Sequence, residues 1–242
     1  MIKAFNKFPD GSTRFVLFFL LAFLFLCQTA SPQVVNEKTK KRVSIGFSLY
    51  QDFWLNMPSG LKTRTINQGA NIFATYNILF GKSNFSFAIG LGLSTHNLYG
   101  NFLVNSSADS TYLDKIPDSI SYKRSKITLA YLEIPLEFRY KSKSKVSVGL
   151  GFKGGFMIGS FWKYVGDGGI TTYNFSVPED AGKTRIKLNG LKNLEQFVFG
   201  PTLRVGYRWF NLSGYYMIST IFNKSHGPDM YPISVGITLM PF

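Results

Sequence analysis

Residues 146–159 read VSVGLGFKGGFMIG and alternate strictly. Val146, Val148, Leu150, Phe152, Gly154, Phe156 and Ile158 share one parity, and Ser147, Gly149, Gly151, Lys153, Gly155, Met157 and Gly159 share the other. A period of two means a β-strand with one apolar face and one face of small or polar residues. The stretch exceeds the roughly 9–11 residues with which a tilted strand crosses a bilayer. A soluble sandwich would place its bulk inward. Bulk on one side against glycine and serine on the other predicts instead a small closed barrel with its greasy face in lipid.

The same pattern recurs along the chain. Val43, Ile45, Phe47 and Leu49 oppose Ser44, Gly46, Ser48 and Tyr50 in the stretch 43–54. Further strands are predicted at 70–80, 85–96, 127–140, 197–209, 212–218 and 231–242, making eight with the stretch at 146–159. In the fourth, Leu132, Ile134, Leu136 and Phe138 point out while Glu133, Glu137 and Arg139 point in. The links run long, short, long, short, long, short, long, and residues 161–194 form the longest. An outer-membrane barrel has this rhythm, with short periplasmic turns and long extracellular loops. The fold class predicted is therefore all-β, an eight-stranded antiparallel up-and-down transmembrane barrel. Aromatics gather at both ends: Phe80, Phe138, Tyr140, Tyr207, Trp209 and Phe210 by the short turns, and Phe53, Trp54, Phe161, Trp162 and Tyr231 by the long loops. Two such girdles mark the two membrane interfaces.

Composition agrees: the 242 residues are 45% hydrophobic and 17% aromatic, with 24 Phe and 13 Tyr. The N-terminus sets the compartment. Lys3, Lys7 and Arg14 precede the apolar run Phe15 to Leu26, which has the form of a secretory signal and is too short for a membrane span. Residues 1–30 are expected to be a signal peptide, 31–42 a short periplasmic tail, and 43–242 the barrel domain. Cys27, the sole cysteine, is expected to leave with the signal, so no disulfide is needed. The formal net charge of +14 raises nucleic acid or anionic membrane as partners. No helix-turn-helix, zinc-binding or RNA-binding aromatic pattern supports the first. Gly149 to Gly154 fits the G-x-G-x-x-G fingerprint, but the strand alternation runs straight through it where a nucleotide site needs a helix to open.

The segment Tyr131-Leu132-Glu133-Ile134-Pro135-Leu136, the glycine-alternating strand after it and the terminal Phe242 resemble the outer-membrane barrels of the Bacteroidetes group, the PorT-like family. The resemblance implies an outer-membrane barrel and, at its most specific, a part in type IX secretion. A terminal aromatic also resembles the signal read by the barrel-assembly machinery. Phe242 does not share the parity of Ile233, Val235, Ile237 and Leu239, which implies a bulge near Met240-Pro241 or an end outside the ladder.

Six charged residues fall on the small-residue face: Glu133, Glu137, Arg139, Lys153, Arg204 and Arg208. They could form an ion path, but in a barrel this narrow they are expected to neutralise one another within a filled interior, with Glu137 pairing to Arg204, Arg208 or Lys153. Ser94, His96 and Glu133 could supply the hydroxyl, base and carboxylate of a lipid hydrolase, against the plainer reading of a polar lining at the rim. His226 stands alone in a loop, without a partner for metal. Trp162, Tyr164, Tyr173, Lys183 and Arg185 in the longest link form a candidate binding surface for phosphorylated lipid sugars or a protein. An equally open alternative is a loop folded over its own barrel rim.

The expected function is a non-enzymatic structural or interaction protein without cofactor or metal. Its expected partners are outer-membrane lipids, lipopolysaccharide among them, the barrel-assembly machinery during biogenesis, and a protein bound through the extracellular loops. The alternatives are a component of a secretion or assembly complex, a lipid-modifying enzyme, and a narrow channel.

Overall fold

A computed structural model of the chain describes residues 42–240. The expected signal peptide, Cys27, nearly all of the short tail and the terminal Phe242 lie outside the described residues. In chain order the strands are β1 (Val43–Leu55), β2 (Gln68–Leu79), β3 (Phe85–Tyr99), β4 (Phe102–Ser106), β5 (Thr111–Lys115), β6 (Tyr122–Lys141), β7 (Val146–Asp167), β8 (Ile170–Thr171), β9 (Ser176–Val177), β10 (Lys183–Asn189), β11 (Phe197–Tyr207), β12 (Phe210–Tyr216) and β13 (Tyr231–Leu239).

Eight of these close into an antiparallel barrel in the order β1-β2-β3-β6-β7-β11-β12-β13. The β1–β13 ladder, from Phe47 opposite Leu239 to Leu55 opposite Tyr231, seals it. Closure matters because hydrocarbon offers backbone N–H and C=O groups no partner, and a closed ladder leaves no edge unpaired. All eight predicted barrel strands are present, and so is the alternation of long and short links.

The barrel is inverted relative to a soluble protein. Leu150 is 64% exposed and Leu91 59%, whereas Glu133 and Glu137 are buried. The aromatics at the short-turn end face out as expected and pack on one another, Phe85 lying 5.5 Å from Phe138 and 5.0 Å from Tyr140 between ring centroids. At the other end the girdle is thinner than the sequence suggests. Phe53 and Tyr216 face out, but Trp54 and Trp162 turn inward, with their indole N–H groups donating to Asn97 O at 3.1 Å and Ser125 Oγ at 2.9 Å.

A β-bulge explains Trp162. Ala130 pairs with Gly159 but Tyr131 with Met157, so Ile158 is extra and the parity of β7 reverses beyond it. Residues 161–167 are consequently not loop. They prolong β7 past the membrane belt, where β10 returns along the same strand edge that β11 occupies lower down. Short hairpins β4–β5 and β8–β9 complete a cap over the long-loop end. The cap encloses a buried core, with Phe102, Ile127, Trp162, Tyr164, Met217 and Phe222 all fully buried, and that core runs on into the upper lumen through Leu129, Tyr131 and Tyr215. Polar ties bind its loops together: Thr111 N donates to His226 O at 2.7 Å, Thr111 Oγ1 to Lys192 O at 2.9 Å, and Tyr173 N to Asn105 Oδ1 at 2.7 Å.

Candidate functional site

Polar chemistry concentrates in the lumen, where the inward parity of every strand meets. Nearest the short turns, Glu137 on β6 takes Arg139 Nη2 at 3.1 Å and Arg204 Nη2, from β11, at 3.3 Å. Arg139 also donates to Asn77 Oδ1 at 2.7 Å. The carboxylate has room because its neighbour is glycine: a Cβ on Gly149 would lie 1.8 Å from Glu137 Oε1. The side chain of Arg204 stands over Phe73, its guanidinium carbon 4.9 Å from the ring centroid. A cavity of about 70 Å³ adjoins this cluster, lined by Glu137, Arg204, Phe73 and Thr202 among others. Ordered water, which takes up about 30 Å³ per molecule in the liquid, fits there beside the guanidinium groups.

One level up, Glu133 accepts from Lys153 Nζ at 2.8 Å, Ser94 Oγ at 2.7 Å and Asn71 Nδ2 at 2.7 Å. Lys153 Nζ also stands 3.9 Å from the centroid of the Tyr215 ring. Above that, Asp52 on β1 receives His96 Nδ1 at 3.1 Å and Ser234 Oγ at 2.6 Å. Tyr50, Tyr131 and Tyr215 surround the imidazole. Among the described lumen-facing residues, Glu133 pairs with Lys153, Glu137 with Arg139 and Arg204, and Asp52 with His96, so three carboxylates stand against three permanent cations. Low-dielectric surroundings demand such balance, since an unpaired buried ion costs several kcal/mol.

Five of the six charges read from the sequence are in this network. Arg208 is not. The β11–β12 ladder closes at Tyr207 opposite Phe210, which puts Arg208 in a two-residue turn at φ 55, exposed, with its guanidinium 5.4 Å from the Tyr207 ring centroid. Asp52, Asn71, Asn77 and Ser234 are the members the sequence reading missed. Asp52 continues the inward parity of Ser44, Gly46, Ser48 and Tyr50, so extending that series by one step finds it.

Ser94, His96 and Glu133 do come close, but not as a triad. Ser94 Oγ donates its hydrogen bond to Glu133, while His96 is engaged by Asp52, and all of these groups are buried in the lumen away from the lipid face. A nucleophile would need its hydroxyl on the imidazole and open to substrate. On the candidate loop surface, Trp162 and Tyr164 are fully buried and belong to the core of the cap, a consequence of the parity reversal at the bulge. Tyr173, Lys183 and Arg185 remain exposed.

Residues 28–223 match the family described as outer membrane protein beta-barrel domain. The chain belongs to that family. As a member of the outer membrane β-barrel family it resides in the outer membrane, and the inverted barrel is its membrane-spanning body. Among solved structures, the chain is similar to Ail, the attachment invasion locus protein of Yersinia pestis, solved in complex with the heparin analogue sucrose octasulfate. That alignment has 13% identity over 82% of this chain and 98% of the other, with a TM-score of 0.34. No curated protein matches.

In this family barrel, Asp52→Asn is expected to lower stability by about 2 kcal/mol, because it weakens charge-assisted hydrogen bonds to His96 and Ser234 without opening space. Urea unfolding of the barrel in lipid vesicles reads this directly. An unchanged midpoint would show that Asp52 contributes nothing to the upper lumen.

Proposed function

We propose that the protein is a non-enzymatic interaction protein, which uses the barrel as a membrane anchor and presents the cap as a rigid extracellular surface. The observation that carries this reading is that the long loops share one buried core and are tied to one another, as in the Thr111–His226 and Tyr173–Asn105 hydrogen bonds. A pre-ordered surface binds without the entropic cost of ordering loops. Tyr173 is 80% exposed, and Tyr112 lies opposite Asn105, the residue whose side chain holds the Tyr173 backbone. Exposed tyrosines on a fixed backbone are the kind of anchor that protein partners engage. The commitment of Asp52, Glu133 and Glu137 to structural partners supports the absence of catalysis. Residues 1–30 act in this reading as the export signal.

The test is in vivo crosslinking followed by pull-down from native outer membrane, comparing wild type with Tyr112→Ala/Tyr173→Ala. The expected result is a protein partner recovered with wild type and reduced at least about fivefold with the double variant, given that an aromatic anchor typically contributes more than about 1 kcal/mol. Equal recovery would sink the role of this surface. Stoichiometric co-purification of several envelope proteins would identify the chain as part of a secretion or assembly complex, the role that the PorT-like resemblance implies.

A further inference from the structure

Three lysines stand in one row across three neighbouring strands. Lys126 on β6 is directly opposite Lys163 on β7, and Lys163 is directly opposite Lys187 on β10. All three share the outward face: Ile127, Trp162 and Tyr164, beside Lys126 and Lys163, are fully buried, and Lys187 is exposed between Ile186 and Leu188, which pack against the core. Directly opposed residues in an antiparallel pair have Cβ atoms about 4.5–5.5 Å apart, and like charges placed so are destabilising. No ion pair relieves them: among the described residues, none of the three lies within salt-bridge distance of a carboxylate. In the next row up, Arg124 and Arg185 flank Val165, adding two more cations to the same face.

The row also converges. Lys126 Nζ lies 5.8 Å and Lys187 Nζ 4.7 Å from the centroid of the same ring, that of Phe161, which belongs to the strand between them. Lys126 is further held by Asn97 Oδ1 at 3.0 Å. Lys126 Nζ also lies 5.2 Å from the Tyr99 ring centroid. Like charges set side by side across three strands are unfavourable on their own and favourable around a multivalent anion.

Height on the barrel selects the anion. On β6 the outward series runs Phe138, Leu136, Ile134 and Leu132, all exposed and apolar, then Ala130, Thr128 and Lys126. On β7 it runs through Phe152, Phe156 and Ile158 to Phe161 and then Lys163. The lysines therefore begin one step above the last aromatic of the lipid-facing belt and point sideways, into the headgroup layer rather than up from the cap. Lysines at that depth meet lipid phosphates. We propose that the outward face of β6, β7 and β10 is a binding site for the phosphate groups of a phosphorylated glycolipid in the outer leaflet, with Lys126, Lys163 and Lys187 clamping phosphate and Phe161 resting against the acyl–sugar boundary. This rests on the extracellular placement of the cap.

The test uses the full barrel in nanodiscs containing bis-phosphorylated lipid A, or the same lipid stripped of phosphate, with bound lipid counted by native mass spectrometry after detergent extraction. Wild type is expected to retain the phosphorylated lipid and not the stripped one. Lys126→Gln/Lys163→Gln/Lys187→Gln is expected to bind it on the order of 100-fold more weakly, taking about 1 kcal/mol per cation at a charged membrane surface. The variant should fold, because it removes a like-charge repulsion on the outer face; heat-modifiable gel migration checks that. Lys141→Gln/Lys143→Gln/Lys145→Gln makes the same charge change at the opposite end and should bind like wild type. Equal retention by the row variant, or retention of phosphate-free lipid by wild type, overturns the site. Binding of a soluble polyanion without any binding of the glycolipid overturns it too. Biotinylation of cap lysines on intact cells separates this failure from that of the placement, since an unlabelled cap refutes both.

Discussion

Glu137→Gln should weaken the barrel by about 3–5 kcal/mol, the range for removing one partner of a buried ion pair. Its carboxylate is the counter-charge of two guanidinium groups, those of Arg139 and Arg204, both nearly buried. The amide keeps the shape and one acceptor but leaves two cations without a negative neighbour. Glu133→Gln is the informative comparison. It strands a single cation, Lys153, which still faces the Tyr215 ring, so its cost should be visibly smaller. Combining Glu137→Gln with Arg204→Met should recover part of the loss, because it removes one of the two stranded charges. Urea titration of wild type and the three variants in lipid vesicles puts them on one scale. A Glu137→Gln cost under about 1 kcal/mol would mean that water in the adjoining cavity, and not the carboxylate, solvates the two arginines.

The barrel was legible in the sequence because lipid makes the alternation unambiguous. Each outward position in 146–158 must be apolar or glycine, and each inward one must fit a narrow lumen, so parity alone places Glu133, Glu137, Arg139, Lys153 and Arg204 inside. The pairing was less legible. Parity assigns a face but not a height, and height depends on the shear of the closed sheet. That is why parity offers Glu137 three cations, Arg204, Arg208 and Lys153, without singling out Arg139 two residues along its own strand. Arg208 departs from the expected lumen position for a local reason. Its parity is right for the lumen, but the strand stops one residue earlier in a turn that swings its side chain into solvent.

The cap was the least legible part, and the cause is a single residue. Continuing the outward series of β7 past Ile158 sends Trp162 and Tyr164 to the surface. The extra residue at the bulge sends them inward and brings Phe161 and Lys163 out. A bulge leaves little trace in composition, and its effect is to reverse every assignment beyond it. The basic row at Lys126, Lys163 and Lys187 is visible only after that reversal, and only once β10 is known to return along β7.

Trp162→Ala should therefore separate the cap from the barrel. The indole is fully buried, lies nearly parallel to Phe175 with centroids 5.8 Å apart, has the Tyr164 ring centroid 6.0 Å away, and donates to Ser125 Oγ. Truncating a buried tryptophan costs about 3–5 kcal/mol. Here the loss falls on a unit that the membrane does not support. The barrel ladder below the bulge keeps all its hydrogen bonds, and Ser125 Oγ keeps its bond to Phe102 O, so heat-modifiable migration should persist. What should change is the accessibility of the cap: limited proteolysis should cut within 168–182 or 107–110 at least about tenfold faster than in wild type, as local opening becomes easier. Recovery of a crosslinked partner should fall in parallel, because the exposed tyrosines would no longer be held in place. If Trp162→Ala resists protease like wild type, the loops do not depend on this core, and the rigid cap that carries the functional proposal loses its basis.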